Sequence, residues 1–396
     1  MIRTKYLIVG GGMTADAAAA GIRELDPDGP VTMVGAEPDP PYTRPWLSKG
    51  LWLGKPLEKV WRGTDSKNVD LRLGRSIIKL DPQGQTAEDD RGETYTYKNI
   101  LLATGGRVRR LPFGGDSIIY YRTMEDYRRL RSLTDRGQRF VVIGGGFIGT
   151  EIAAALASNG KEVAIVFPDG SLGERVFPRA LAEFVTFYYG EKGVEVLSRA
   201  SVQDVTASGT RALVHIRYAG GEQTTIEADG VVAGIGIQPE TKLAIAAGLN
   251  CENGIVVDSR LRASAPAVYA AGDVAAYPSP ALGSRVRIEH EDNALTMGKA
   301  AGRAMAGADE PYRHLAYFYS DLFDLGYEAV GQLDPSLTVV ADWAEPYRKG
   351  VVFYTGDGRI RGVLLWNVWD KVPSARGLIE SGRRFRTEEL KASLLD

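Results

Sequence analysis

A glycine-rich turn occurs twice in this chain, each time after a β-branched apolar run and before an alanine-rich stretch. The first copy is Tyr6-Leu-Ile-Val-Gly-Gly-Gly-Met-Thr-Ala15, and the second is Phe140-Val-Val-Ile-Gly-Gly-Gly-Phe-Ile-Gly-Thr-Glu151. Strand, tight turn and helix start in that order let a backbone approach a dinucleotide pyrophosphate. The positions that carry the pattern are Gly10, Gly12 and Ala15 in one copy and Gly144, Gly146 and Gly149 in the other. One such fingerprint is a weak signal, but two in one chain predict two bound dinucleotides. They also predict an α/β fold with two Rossmann-like domains.

Around the first copy the text completes a βαβ unit. A helix is expected over Ala15 to Leu25, a turn at Asp26-Pro27-Asp28-Gly29, and a second strand over Val31 to Val34. An acid normally follows that strand to hold the adenosine ribose. Here Gly35-Ala36-Glu37 follows, which makes Glu37 the candidate. The proline-stiffened loop Pro40-Pro-Tyr-Thr-Arg-Pro-Trp-Leu-Ser-Lys49 carries Arg44 and Lys49. It reads either as a rigid surface loop with two solvated cations or as a lid placing both on a bound flavin nucleotide. Residues 69–80 and 85–97 alternate apolar and polar and read as an antiparallel hairpin excursion. The chain then returns to the sheet through Ile100-Leu-Leu-Ala-Thr-Gly105-Gly106, which puts Thr104 and Gly105 at the cofactor edge.

The second copy repeats this plan. A charged helix is expected around Met124 to Leu133, a strand over 140–143, a helix over 147–158 stopped by Asn159-Gly160, and a strand from Lys161 to Phe167. Asp169 lies about 20 residues past the glycines, where a ribose-binding acid belongs. A carboxylate there repels a 2′-phosphate, so NADH is expected over NADPH, with Arg175 the nearby cation that qualifies this. Residues 194–232 alternate again as a second hairpin excursion, closed by Val231-Val-Ala-Gly-Ile-Gly-Ile-Gln-Pro239 with Gly236 as the counterpart of Gly105.

Beyond residue 255 a strand, Val268 to Ala271, ends in Gly272-Asp273. This aspartate reads as a helix cap, as an acceptor for a polyhydroxyl chain, or as both. Arg287-Ile-Glu-His-Glu-Asp-Asn293 opens a helix through Met305, and residues 313–396 hold alternating aromatic segments and a charged helix, a third α+β domain. The 396 residues contain one cysteine, Cys251, which excludes an internal disulfide, a redox-active cysteine pair and a thiolate metal cluster. His215, His290 and His314 are scattered, and no metal is expected. The net charge of −2 gives no case for nucleic acid or an anionic membrane. With no membrane-length apolar run and no signal-peptide pattern, the expected location is cytoplasmic.

These stretches together resemble the two-dinucleotide flavoprotein reductases. Within them the chain is most similar to the apoptosis-inducing-factor branch and the NADH–ferredoxin reductases of oxygenase systems. The specific matches are the Pro-Tyr-x-Arg-Pro-x-Leu-Ser-Lys loop, Val268-Tyr-Ala-Ala-Gly-Asp273, Arg287-Ile-Glu-His, and Tyr319-Ser-Asp-Leu-Phe-Asp-Leu-Gly-Tyr-Glu-Ala-Val-Gly331. Two positions depart from the family: Ala36 stands where the FAD-ribose acid is expected, and Tyr319 where a tryptophan often covers the flavin.

The resemblance implies an FAD-binding domain over 1–115 and 246–312, an NADH-binding domain over 116–245, and a C-terminal domain over 313–396. It also implies FAD and NADH as cofactors. Arg44 would meet the phosphates, Asp273 the ribityl hydroxyls, and the helix start at Glu289, His290 and Glu291 the flavin's N1–C2=O edge. Tyr319 is either ordinary core or an aromatic wall beside the flavin. Lys49 would sit near flavin N5, paired with Glu151, which otherwise reads as a solvent-facing helix residue. The implied activity is hydride transfer from NADH and electron delivery to a ferredoxin, rubredoxin or quinone. The alternative is an NADH-responsive redox sensor whose reduced flavin–NAD complex controls partner association. Direct oxidation of NADH by oxygen is a weaker third reading, because no cysteine adjoins Lys49. Among oligomers a symmetric homodimer is the default expectation.

Overall fold

The computed structural model describes residues 1–391 and 393–395, so residues 392 and 396 of the expected 313–396 domain lie outside it. The helices in chain order are α1 (Met13–Arg23), α2 (Met124–Thr134), α3 (Phe147–Ser158), α4 (Arg179–Glu191), α5 (Lys242–Ala246), α6 (Glu291–Met305), α7 (Val372–Glu380) and α8 (Thr387–Leu390). The chain divides into two compact units.

The first unit comprises residues 1–44, 56–107 and 238–317. Its main sheet is fully parallel, in the order Val268–Ala270, Asn99–Leu102, Tyr6–Val9, Val31–Gly35, Val69–Leu73. All four residues of Tyr6–Val9 are buried, as a strand covered on both faces must be. The order reverses beside Tyr6–Val9, the topological switch point at which open α/β sheets bind ligands. The first glycine turn leaves from there.

Helices α1 and α6 pack almost backbone to backbone. A Cβ added at Gly298 would fall 2.4 Å from the Thr14 carbonyl oxygen, and one at Gly302 would fall 2.0 Å from that of Ala18. A second sheet joins Ile2–Arg3, Thr94–Thr96, Thr86–Asp89 and Ile77–Asp81.

The second unit comprises residues 45–55, 108–237 and 318–396. Its parallel sheet repeats the plan: Ile118–Tyr120, Gly230–Ala233, Arg139–Ile143, Glu162–Val166, Val194–Leu197. An antiparallel meander follows over Ala200–Ser208, Arg211–Tyr218 and Gln223–Ala228. The C-terminal sheet orders Tyr317–Leu322, Leu325–Gly331, Arg359–Trp366, Lys349–Gly356 and Thr338–Glu345, with α7 packed against it. Two Rossmann-like domains and a C-terminal sheet domain are therefore present, as the sequence predicts.

Several expectations need correction. Residues 69–73 are not a hairpin arm but the edge strand of the first parallel sheet, and Gly74 at φ +63° turns the chain away after them. Residues 194–197 likewise belong to the second parallel sheet rather than to an excursion. Helix α4 goes unread in the sequence, while the strand Ala200–Ser208 falls inside the excursion expected over 194–232. The run from Leu315 to Leu325 is two strands hinged at Phe323, whose φ is +61°. Asp273 caps no helix: it lies inside a 3-10 turn, Gly272–Val274, whose N-cap is Ala271.

Candidate active site

In the first unit, Gly10 lies where a side chain cannot. Its φ is +132°, and a Cβ would sit 2.2 Å from the Ala103 carbonyl oxygen. Gly12 is the N-cap of α1 and makes no side-chain cap bond. A Cβ there meets nothing within 4 Å, so the free N–H groups of the first turn front open space. Ala15, fully buried, seats the helix on its sheet.

Glu37 accepts from Tyr42 Oη at 2.6 Å and from Arg44 at 2.7 Å. Arg44 also lies over the Tyr42 ring, 4.9 Å from its centroid. Burial works against the Arg44 charge, but Tyr42, Glu37 and Asp273 hold the guanidinium protonated. Both candidates are therefore brought together, with Glu37 already engaged by the cation expected on the phosphates.

Thr104 donates to the Glu240 carbonyl at 2.7 Å, and the Gly105 carbonyl accepts from the Glu240 backbone at 3.0 Å. Glu289 pairs with Arg287, whose guanidinium also donates to the Asp273 carbonyl at 3.0 Å. His290 is the N-cap of α6 and Glu291 its first residue, without a side-chain cap bond. Desolvation pushes the His290 imidazole down to about 4, against the opposing pull of Asp273 and Asp292, so it is neutral at pH 7.

The second unit holds a buried polar cluster centred on Glu151. Glu151 sits in the first half of α3 with its side chain only 4% exposed, so it does not face solvent. Oε1 accepts from Lys49 Nζ at 2.6 Å and from Ser320 Oγ at 2.6 Å, and Oε2 accepts from Ser48 Oγ at 2.6 Å. The Lys49 ammonium also lies over the Tyr319 ring, 5.1 Å from its centroid. The carboxylate is thus satisfied by one cation and two hydroxyls, which a buried charge requires.

The Lys49 segment is itself pinned. Its Leu47 carbonyl accepts from Trp52 Nε1 at 2.8 Å and from Tyr121 Oη at 2.5 Å, and the Trp52 carbonyl accepts from Asn159 at 3.2 Å.

The turn before α3 mirrors the first copy. Gly144 has φ +111°, and a Cβ at Gly149 would lie 1.8 Å from the Gly144 carbonyl oxygen. Gly146, the N-cap, again has nothing within 4 Å of an added Cβ. Gly236, at φ +89°, accepts from the Arg109 backbone at 3.0 Å. Asp169 follows the strand Glu162–Val166 and meets Arg175 at 3.3 Å.

Sequence reasoning missed Ser48 and Ser320, though each adjoins a residue it singled out. It also missed Asp16 on α1, a buried carboxylate held by Arg62 at 2.7 Å, Lys67 at 2.7 Å and Thr64 at 2.6 Å. Among the described residues no group of three or more His, Cys, Asp or Glu could hold a metal.

Both glycine turns fit a dinucleotide: each is an uncapped helix start of sufficient length, with open space where a side chain would stand. The profile of the family described as pyridine nucleotide-disulphide oxidoreductase matches residues 4–298. That of the apoptosis-inducing factor, mitochondrion-associated, C-terminal family matches 301–346 and 344–381. The ferredoxin–NAD(+) reductase component of the anthranilate 1,2-dioxygenase system of Burkholderia cepacia is 35% identical, over 95% of this chain and 94% of its own. The solved ferredoxin reductase for the CYP199A2 system of Rhodopseudomonas palustris superposes with a TM-score of 0.90 at 26% identity, covering 99% of this chain and 98% of its own. The covalent putidaredoxin reductase–putidaredoxin complex gives a TM-score of 0.90 at 28% identity, over 99% and 97%.

Proposed function

The chain belongs to the pyridine nucleotide-disulphide oxidoreductase family, and on that premise we propose that it is an FAD-dependent NADH reductase serving a ferredoxin-type carrier. The observation that carries the choice is the single cysteine, Cys251, on a short strand of the first unit. Without a cysteine pair, electrons cannot be stored in the chain as a dithiol and go to an external acceptor. Relatives named as ferredoxin–NAD(+) reductases match over nearly the whole chain, and one solved neighbour is bound to putidaredoxin. Rubredoxin and quinone are alternative acceptors of the same class of reaction.

When bound, FAD would supply the redox chemistry that links NADH oxidation to reduction of the carrier. The chain supplies binding and position. In this reading the α1 start, with Arg44 and Glu37, holds FAD, together with Thr104, Gly105, Asp273 and the His290–Glu291 end of α6. The helix dipole there favours negative charge. The α3 start holds NADH, with Asp169 at its ribose. In the same reading FAD takes residues 1–115 with 246–312 as its domain, and NADH takes 116–245. Glu151, Ser48 and Ser320 fix the Lys49 ammonium at one point beside Tyr319, and in this reading that ammonium is the charged group that serves hydride transfer. A positioned charge of this kind costs no reorganisation when charge develops beside it. Cytoplasmic location belongs to the same reading; among the described residues no helix is long and apolar enough to cross a membrane.

The match of residues 301–346 and 344–381 to the apoptosis-inducing-factor C-terminal family supports a second reading, an NADH-responsive sensor. One experiment separates the two: anaerobic reduction by NADH followed by addition of oxidised ferredoxin. Rapid reoxidation supports the reductase. A long-wavelength charge-transfer band that outlasts the ferredoxin, with a shifted elution volume, supports the sensor and rejects the reductase.

A further inference from the structure

Behind Asp169 the loop 168–177 builds an anion site and then fills it. The backbone N–H groups of Gly170 and Ser171 converge on one oxygen, Glu174 Oε2, at 2.6 and 3.0 Å. Two successive backbone donors aimed at one point form the kind of nest that proteins use for phosphate oxygens. Two guanidiniums flank it. Arg175 reaches Asp169 at 3.3 Å with its side chain 80% exposed, and the Arg199 guanidinium lies beside Gly170.

The loop is not slack. Leu172 N–H donates to Thr186 Oγ1 at 2.8 Å, Gly173 N–H to the Gly145 carbonyl of the glycine turn at 3.3 Å, and Leu172 and Phe177 are buried. The nest is therefore fixed relative to the turn that receives the pyrophosphate.

We infer that Glu174 is a specificity-determining residue: its carboxylate occupies a latent 2′-phosphate site and thereby excludes NADPH. The inference rests on the reading that NADH lies over α3 with Asp169 at its adenosine ribose. A 2′-phosphate would meet both donors already taken and two carboxylates, Asp169 and Glu174, facing its charge. With Glu174 removed, two N–H donors and two guanidiniums are left around the ribose, the equipment that binds a phosphate elsewhere. Asp169 alone sets a preference, and Glu174 closes the site behind it.

The test uses the FAD-loaded full chain and two probes that differ only by the 2′-phosphate, adenosine 2′,5′-bisphosphate and 5′-AMP, titrated by calorimetry. Glu174→Ala is expected to raise the affinity ratio of bisphosphate to AMP by about ten-fold or more, as for the gain of charge-assisted bonds to a phosphate. The gain should shrink as salt rises. Glu174→Gln, which keeps an oxygen for the loop donors but no charge, should give a smaller rise and guards against a loop that collapses. An unchanged ratio in both variants overturns the inference, as does an equal change for both probes, which marks Glu174 as a loop brace. Asp169→Asn is measured alongside. If it leaves NADH affinity untouched, the placement of NADH itself is wrong, a different failure from an unchanged ratio with Asp169→Asn impaired.

Discussion

Ser320 Oγ donates to Glu151 Oε1 across 2.6 Å, the same oxygen that receives Lys49 Nζ, so residues 169 and 102 positions away meet on one atom. Removing Ser320 takes one bond from a buried charge. Ser320→Ala is expected to cost about 1.5–3 kcal/mol, the range for hydrogen bonds to charged groups. Glu151→Ala strands the lysine ammonium and both hydroxyls, and about 3–5 kcal/mol is expected. Chemical denaturation of the holoprotein, followed by flavin and tryptophan fluorescence, should rank the two in that order. The reverse order would mean that Glu151 carries no charge worth pairing.

Lys49→Ala leaves the Glu37–Arg44 pair and the α1 start intact, so FAD should remain bound in full. The rate of flavin bleaching by NADH should fall by roughly 10²-fold, the effect of removing one preorganised charged group from a reaction centre. Anaerobic stopped-flow absorbance gives the answer directly. Wild-type traces from the variant would remove Lys49 from the site.

His290 is held at about 4 against an ordinary value of 6.5. The folded chain therefore binds fewer protons than the unfolded chain between those two pH values. Its contribution to stability is whole above pH 6.5 and is lost as the pH falls toward 4. The imidazole should titrate near 4 in NMR spectra assigned by a His290→Gln variant, and the melting temperature of that variant should fall less steeply across the window. Titration near 6.5 would show the ring to be solvated.

Gly302 sits under Ala18, where an added Cβ would come within 2.0 Å of a backbone oxygen. Backbone cannot yield as a side-chain tip can. Gly302→Ala should therefore push α6 from α1 and cost about 1–3 kcal/mol, as overpacking does. FAD retention after gel filtration is the convenient readout. Full retention at unchanged stability would argue that the helices separate at no cost.

What could be read in advance divides by the range of the interaction that decides it. The bounds of α3 are legible because its glycine turn, alanine run and Asn159-Gly160 stop are all local. Helix α4 went unread: its buried Leu181, Ala182, Val185, Tyr188 and Tyr189 recur at helical spacing, but interleaved Phe184 and Phe187 blur the stripe. Residues 69–73 alternate as an excursion strand does, and only pairing with Val31–Gly35, far back in the chain, settles which sheet they join. Glu151 and Lys49 could be paired only through a family resemblance. Ser48 and Ser320 could not be found at all, since a serine gives no pattern and the partner that makes each one matter is more than a hundred residues away.

The chain passes between its two units at residues 44/45, 55/56, 107/108, 237/238 and 317/318. A gene segment spanning the second fingerprint is therefore not a portable module. A chimaera that exchanges residues 116–245 for a relative's would carry Glu151 across and leave Lys49, Ser48 and Ser320 in the host. Engineers seeking a new nicotinamide preference would do better to transplant the loop 168–177 alone, or to move 45–55 and 318–396 with the graft, so that donor and acceptor side chains share one ancestry.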